Sequence, residues 1–249
     1  MTVFSRIALR AWTSQWQKAP ESSLDPRNPN GPIPFTSTAL LGLAYVRLGF
    51  DIGPYKILES KAPEQIANKL LRLPPLSRGP HLLPGLLYAT HALSVPVKLG
   101  IEYVSRSQAF VWSVQHSLCG LEFAVLLSKW LHSISESQEI QPLDGTTRLL
   151  SELNLVSLLL FRLLIYLLEH ESHIINWTSD VVEEGRTSCD EDLCPTAGQS
   201  SSSYQFLAFS VLKLWARLMR GNVQWAMIKI IGEGLDIYAD TCWNEQNPH

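Results

Sequence analysis

Three features of the sequence predict an all-α fold, a multi-helix orthogonal and antiparallel array with one long buried helix at its centre. Apolar residues recur at steps of three and four along most of the 249 residues, the spacing of a single helix face. No stretch alternates apolar and polar residues as a half-buried strand does. Prolines gather in short connectors between the apolar runs, so the breaks between helices are legible. The whole of 1–249 reads as a single α-helical domain, with one exception inside it: an acidic, Ser-rich loop.

The elements follow in order. Residues 3–17 read as an amphipathic helix. "PESSLDPRNPNGPIP", residues 20–34, holds five prolines in fifteen residues and reads as a loop. Residues 36–48 form the next helix, with Thr36 or Ser37 as its N-cap. "APEQIANKLLRL" follows, with Pro63 suited to a first helical position. Pro74, Pro75 and Pro80 break the chain, and helices over 81–93 and about 97–133 meet at a joint at Pro96. A further block spans about 145–174. Residues 178–203, "TSDVVEEGRTSCDEDLCPTAGQSSSS", have six acidic residues against Arg186 alone and little to bury. Such a composition predicts disorder. Two last helices, about 203–219 and 223–242, hinge at Gly221-Asn222.

Composition excludes several classes of function. A net charge of −3 and a pI near 6.2 are not the clustered basic footprint of a nucleic-acid grip. The four cysteines, Cys119, Cys189, Cys194 and Cys242, are few and scattered. That suits a reducing compartment better than a disulfide framework. The apolar run 153–168, "LNLVSLLLFRLLIYLL", is short of the roughly 20 residues a membrane span needs. Arg162 in its middle and Glu152 and Glu169 at its ends fit a buried core helix better.

Two constellations have the look of chemistry. In "HSLCGLE", His116, Cys119 and Glu122 fall every third residue, and each step turns a helix by about 300°. Numbered along the helix, however, Trp112, His116, Cys119, Phe123, Leu126 and Trp130 make one stripe, and Val111, Val114, Leu118, Leu121 and Val125 make another nearly opposite. A helix apolar on two sides is sandwiched between others. Cys119 then serves as a small hydrophobe, His116 bonds a local partner, and Glu122 reaches the helix edge. The second constellation, His170 and His173 followed by Cys189 and Cys194, has zinc-type ligands, but its cysteine half sits among acidic residues. Gly232-Glu233-Gly234 lies in a helical pattern with no strand before it, so it is not a nucleotide fingerprint. These residues carry no expected catalytic, cofactor, metal or DNA-binding role.

Longer words of the sequence go further. "GPIPFTSTALLGLAYVRLGFDIGP" (31–54), "PEQIANKLL" (63–71), "ATHALSVPVKLGIEYVSRSQAFVWSVQHSLCGLEFAVLLSKWL" (89–131) and "LKLWARLMRGNVQWAMIKIIGEGLDIYAD" (212–240) resemble the fungal-specific transcription factor domain. This is the regulatory domain found C-terminal to two-Cys two-His zinc fingers, and the chain resembles its C-terminal part. The resemblance implies an all-helical, non-enzymatic domain, a nuclear setting and regulation of transcription by RNA polymerase II. It implies co-regulators or a second copy of the domain as partners, an effector at most as ligand, and no membrane. DNA and zinc belong to N-terminal fingers, and no finger signature occurs in this sequence. The chain is thus a fragment of a longer product or a finger-less relative. Two other readings stay open at this point: an α-helical membrane-associated protein resting on 149–168, and a cysteine-dependent enzyme at His116 and Cys119.

Overall fold

The computed structural model of the chain describes residues 3–25, 27, 33–56, 59–106, 114–137, 201–222 and 224–246. Among the described residues there are eight α-helices, two single 3-10 turns and no strand. The helices are α1 (Val3–Trp16), α2 (Ile33–Gly49), α3 (Pro63–Leu71), α4 (Leu83–Leu99), α5 (Ile101–Arg106), α6 (Val114–Ser137), α7 (Ser201–Arg220) and α8 (Ala226–Gln246). The all-α reading of the periodicity holds.

Local chemistry explains most of the boundaries and corrects four of them. Pro63 starts α3 as expected, because its missing N–H and fixed φ suit the first turn. α2 begins at Ile33, three residues before the expected cap, so neither Thr36 nor Ser37 caps it. Pro34 fits the first turn for the same reason as Pro63, and the Thr38 hydroxyl donates back to the Pro34 carbonyl at 3.1 Å. α4 runs straight through Pro96, where a joint was expected. A mid-helix proline costs about 3 kcal/mol, and here Pro96 is buried with Val95 and Val97 on either side of it. The chain breaks instead at Gly100, whose φ of 93° is left-handed and favours glycine. The expected helix 97–133 is therefore interrupted at Gly100, and its described parts fall in the end of α4, in α5 and in α6.

The fourth correction concerns the acidic loop. Ser201–Ser203 belong to the first turn of α7 rather than to a loop. The amides that follow in α7 need carbonyl acceptors four residues earlier, and the first turn supplies them. The remainder of that segment, 178–200, lies outside the described residues, as do the helical block expected at 145–174 and the first turn expected for the central helix, with Val111 and Trp112.

α6 is the centre of the array. Among the described residues it packs against α7, α4, α2 and α8, while α8 also packs against α7 and α3. Of the described residues of the first expected stripe of α6, His116, Cys119, Phe123, Leu126 and Trp130 are buried; of the second, Leu121 and Val125 are buried and Val114 and Leu118 are only partly so. Gly120 lets α7 come close, because the Trp215 ring occupies the place where a Cβ would stand. Gly232 and Gly234 serve the same purpose on α8. A Cβ at Gly232 would lie 2.8 Å from the Arg220 amide on α7, and one at Gly234 2.9 Å from Ile66 on α3. The "GEG" is a packing device for two helix crossings. At the expected hinge, Asn222 Oδ1 accepts from the amides of Gln224 and Trp225 at 2.9 and 3.0 Å, turning the chain into α8. Lys213 and Arg220 on α7 then pair with Asp236 on α8 at 2.7 and 2.5 Å.

Candidate functional site

Glu122 is the most unusual residue of the central helix. The sequence placed it at the helix edge; the structure buries it, with only 1% of its side chain exposed. A buried carboxylate requires cationic partners and hydrogen bonds. Both are supplied from far along the chain. Arg47 on α2 donates through Nε to the two carboxylate oxygens at 3.2 and 3.0 Å, and through Nη2 to Oε1 at 2.6 Å. Lys56, just past the turn Gly53–Tyr55, donates to the same Oε1. Glu122 thus ties α6 to α2 and to the following loop. The fork geometry suits a guanidinium, and Glu122 holds Arg47 above its ordinary pKa. A helix apolar on two sides is a signal that could have pointed to a buried, paired Glu122 instead of one at the edge. Which cation answered it was not legible, because the pairing spans 75 residues in one case and 66 in the other.

Cys119 and His116 lie about one and two turns earlier on α6 and are both buried. Burial pulls the His116 imidazole down to about 4, against a hydrogen bond with the Phe35 backbone that favours the charged form. One partner of the imidazole is thus on α2. The Phe35 ring stacks on the imidazole with centroids 4.6 Å apart. Burial likewise pushes the Cys119 thiol up to about 12, with Glu122 adding to the rise. At neutral pH the pair is a neutral imidazole and a neutral thiol. Cysteine nucleophiles need the opposite: a lowered thiol pKa and solvent access. What the arrangement does chemically is pack.

Three cavities among the described residues bear on ligand binding. One, lined by Phe35, Gly42, Tyr88, His91, His116 and Trp215, measures about 20 Å³. That is room for one water and far below the ~300 Å³ of a small-molecule site. A second, about 270 Å³, lies between the 71–76 connector, α6 and α8, with Lys129, His132, Tyr238 and Cys242 in its wall. Burial pulls His132 down to about 4 and raises the Cys242 thiol. The third is a shallow groove of about 590 Å³ between α1 and α2.

Among the described residues, no three of His, Cys, Asp and Glu are grouped to hold a metal ion. His170, His173, Cys189 and Cys194 all lie outside the described residues, and so does the apolar segment 149–168. No helix among the described residues is long and apolar enough to cross a membrane.

Comparison with known proteins bears on the whole chain. No curated protein and no solved structure is significantly similar to it. A family model described as the fungal transcription factor C-terminal domain matches residues 51–237. The match takes in α3 to α7 and just over half of α8, including Glu122, His116 and Cys119, and leaves α1 and α2 outside. With most of its length matched, this chain belongs to the fungal transcription factor C-terminal domain family.

Proposed function

We propose that this chain is a non-enzymatic regulatory domain of a fungal transcription factor, working in the nucleus on transcription by RNA polymerase II. It acts through protein contacts, with co-regulators or a second copy of the domain as partners. In this reading DNA and zinc are bound by two-Cys two-His fingers N-terminal to the domain. The family match over 51–237 carries the proposal. Two physical features support it. The net charge of −3 gives duplex DNA no general electrostatic attraction. The residues that looked most like an active site, His116 and Cys119, are buried and neutral.

The experiment is a tethered reporter in a fungal host. The chain, fused to a heterologous DNA-binding domain, should change output from a promoter carrying the cognate sites, and the Trp130→Ala core variant should lose that change. A folded, nuclear fusion that leaves both an activation and a repression reporter at baseline would overturn the proposal. In a parallel titration the isolated chain should bind duplex DNA no better than a neutral control protein at physiological salt.

A further inference from the structure

The cavity of about 270 Å³ between the 71–76 connector, α6 and α8 has a wall of two characters. Leu71, Leu73 and Leu76 make one side apolar. Two bonds strap the connector onto α6: Lys129 Nζ donates to the Leu73 carbonyl and Arg78 Nη1 to the Ser133 carbonyl, each at 3.4 Å. The other side is charged. Lys129, Glu136 and Glu245 line it, and His132 beside them is neutral at pH 7. Among the described residues these three charges form no ion pair, with one another or with any other group. Lys129 is partly buried and spends one of its three protons on the long bond to Leu73. Glu136 and Glu245 are exposed at the rim. The Cys242 thiol in the wall feels Lys129 and Glu245 together, so opposite charges flank one place without meeting. Beside it on α8, Tyr238 is 1% exposed, and its hydroxyl makes no hydrogen bond of normal geometry.

We propose that this cavity binds a free amino acid with an apolar side chain. The ligand carboxylate takes protons from Lys129, its ammonium meets Glu136 and Glu245, and its side chain lies on the leucines of the connector. A ligand oxygen there also gives the Tyr238 hydroxyl the acceptor it lacks. Only a molecule carrying both signs answers the whole wall. A carboxylate without the amine is repelled by the two glutamates at the rim, and an amine without the carboxylate is opposed by Lys129. The volume lies just under the usual range of about 300 to 1,000 Å³ for ligand pockets, which limits the occupant to a small molecule of this kind. The proposal rests on the regulatory reading only for what the bound molecule controls. Binding itself is measured on the chain alone, so its failure leaves the reporter result standing, and a silent reporter leaves the binding result standing.

The test is calorimetric titration of the full chain at neutral pH with L-leucine, L-methionine and L-phenylalanine as probes. At least one should bind. Its analogues lacking the amine or the carboxylate (for leucine, 4-methylpentanoate and 3-methylbutylamine) should bind about tenfold more weakly or worse, because each leaves part of the wall unanswered. Lys129→Met should weaken the amino acid about tenfold and leave the amine analogue no weaker. The double variant Glu136→Gln/Glu245→Gln should weaken the amino acid by a similar factor and leave the carboxylate analogue no weaker. The glutamates are exposed, so the double variant keeps the test decisive should Lys129→Met unfold. No binding of any of the three amino acids at tens of millimolar would overturn the proposal. So would equal affinity for an amino acid and either of its analogues, or binding indifferent to the glutamate variant.

Discussion

Trp130 on α6 and Trp12 on α1 both stand on an apolar helical stripe, yet Trp130 is fully buried while Trp12 is 46% exposed. Both helices repeat apolar residues at steps of three and four. The difference lies in how many neighbours each helix has. Among the described residues α6 is packed by α2, α4, α7 and α8, whereas α1 packs on α2. Periodicity reports that a face is apolar; the number of partners decides whether it becomes core or surface. The same comparison separates two uses of charge. On α6, Glu122 is buried and needs Arg47 and Lys56 to stay there; on α1, Arg6 and Arg10 stand in solvent.

The largest effect expected from this contrast is on the tryptophans. Trp130→Ala should cost roughly 3 to 5 kcal/mol through cavity formation. Trp12→Ala should cost about 1 kcal/mol or less, as surface substitutions do. Urea denaturation of the two variants compares them directly, and equal losses would break the distinction between core and surface helices.

Next comes the carboxylate. Arg47→Leu combined with Lys56→Met strands Glu122 with neither cation, and such a loss costs about 3 kcal/mol or more. Adding Glu122→Leu to that pair removes the stranded charge and should restore part of the stability, since a well-packed apolar replacement is often neutral. A triple variant less stable than the double would show that the ion pairs do more than satisfy Glu122.

A smaller effect is expected from pH. Burial lowers His116 and His132 to about 4 in the folded chain and lowers His91 as well, while an unfolded histidine titrates near 6.5. Between those values the unfolded state binds more protons than the folded one, so stability is complete above about pH 6.5 and falls as the pH drops toward 4. For His116 the loss from pH 7 to pH 5 should be about 2 kcal/mol. His116→Gln should flatten the curve by that amount, and a stability profile with the same slope in the variant would contradict the burial account.

Much of the architecture was written in local patterns. The helix periods, Pro63 at the start of α3 and the turn at Asn222 all depend on residues close in sequence. Both stripes of α6 announced an enclosed helix before its neighbours were known. What escaped depends on tertiary context. Proline chemistry predicts a break at Pro96, but burial carries α4 past it, and Gly100 makes the break instead. The pattern around Glu122 suggested an acid at the helix edge, and revealed neither its burial nor Arg47 and Lys56. The role of Gly232 and Gly234 became readable only when α7 and α3 were seen to press against them. As for a site, the sequence flagged His116 and Cys119 by their spacing, and burial gives that spacing its meaning. The groove between α1 and α2 gave no motif, because an exposed apolar face and a buried one have the same period.

One measurement reaches the central claim, that the centre of α6 is a packed core and not a chemical site. Native protein is treated with iodoacetamide over time, and each cysteine is followed by peptide mass spectrometry. Cys119 is buried with its thiol pushed up to about 12, so it should stay unlabelled in native buffer and react only at the rate of global unfolding. Its labelling should accelerate with urea in step with the unfolding transition. Rapid modification of Cys119 in protein that remains folded by circular dichroism would contradict the account.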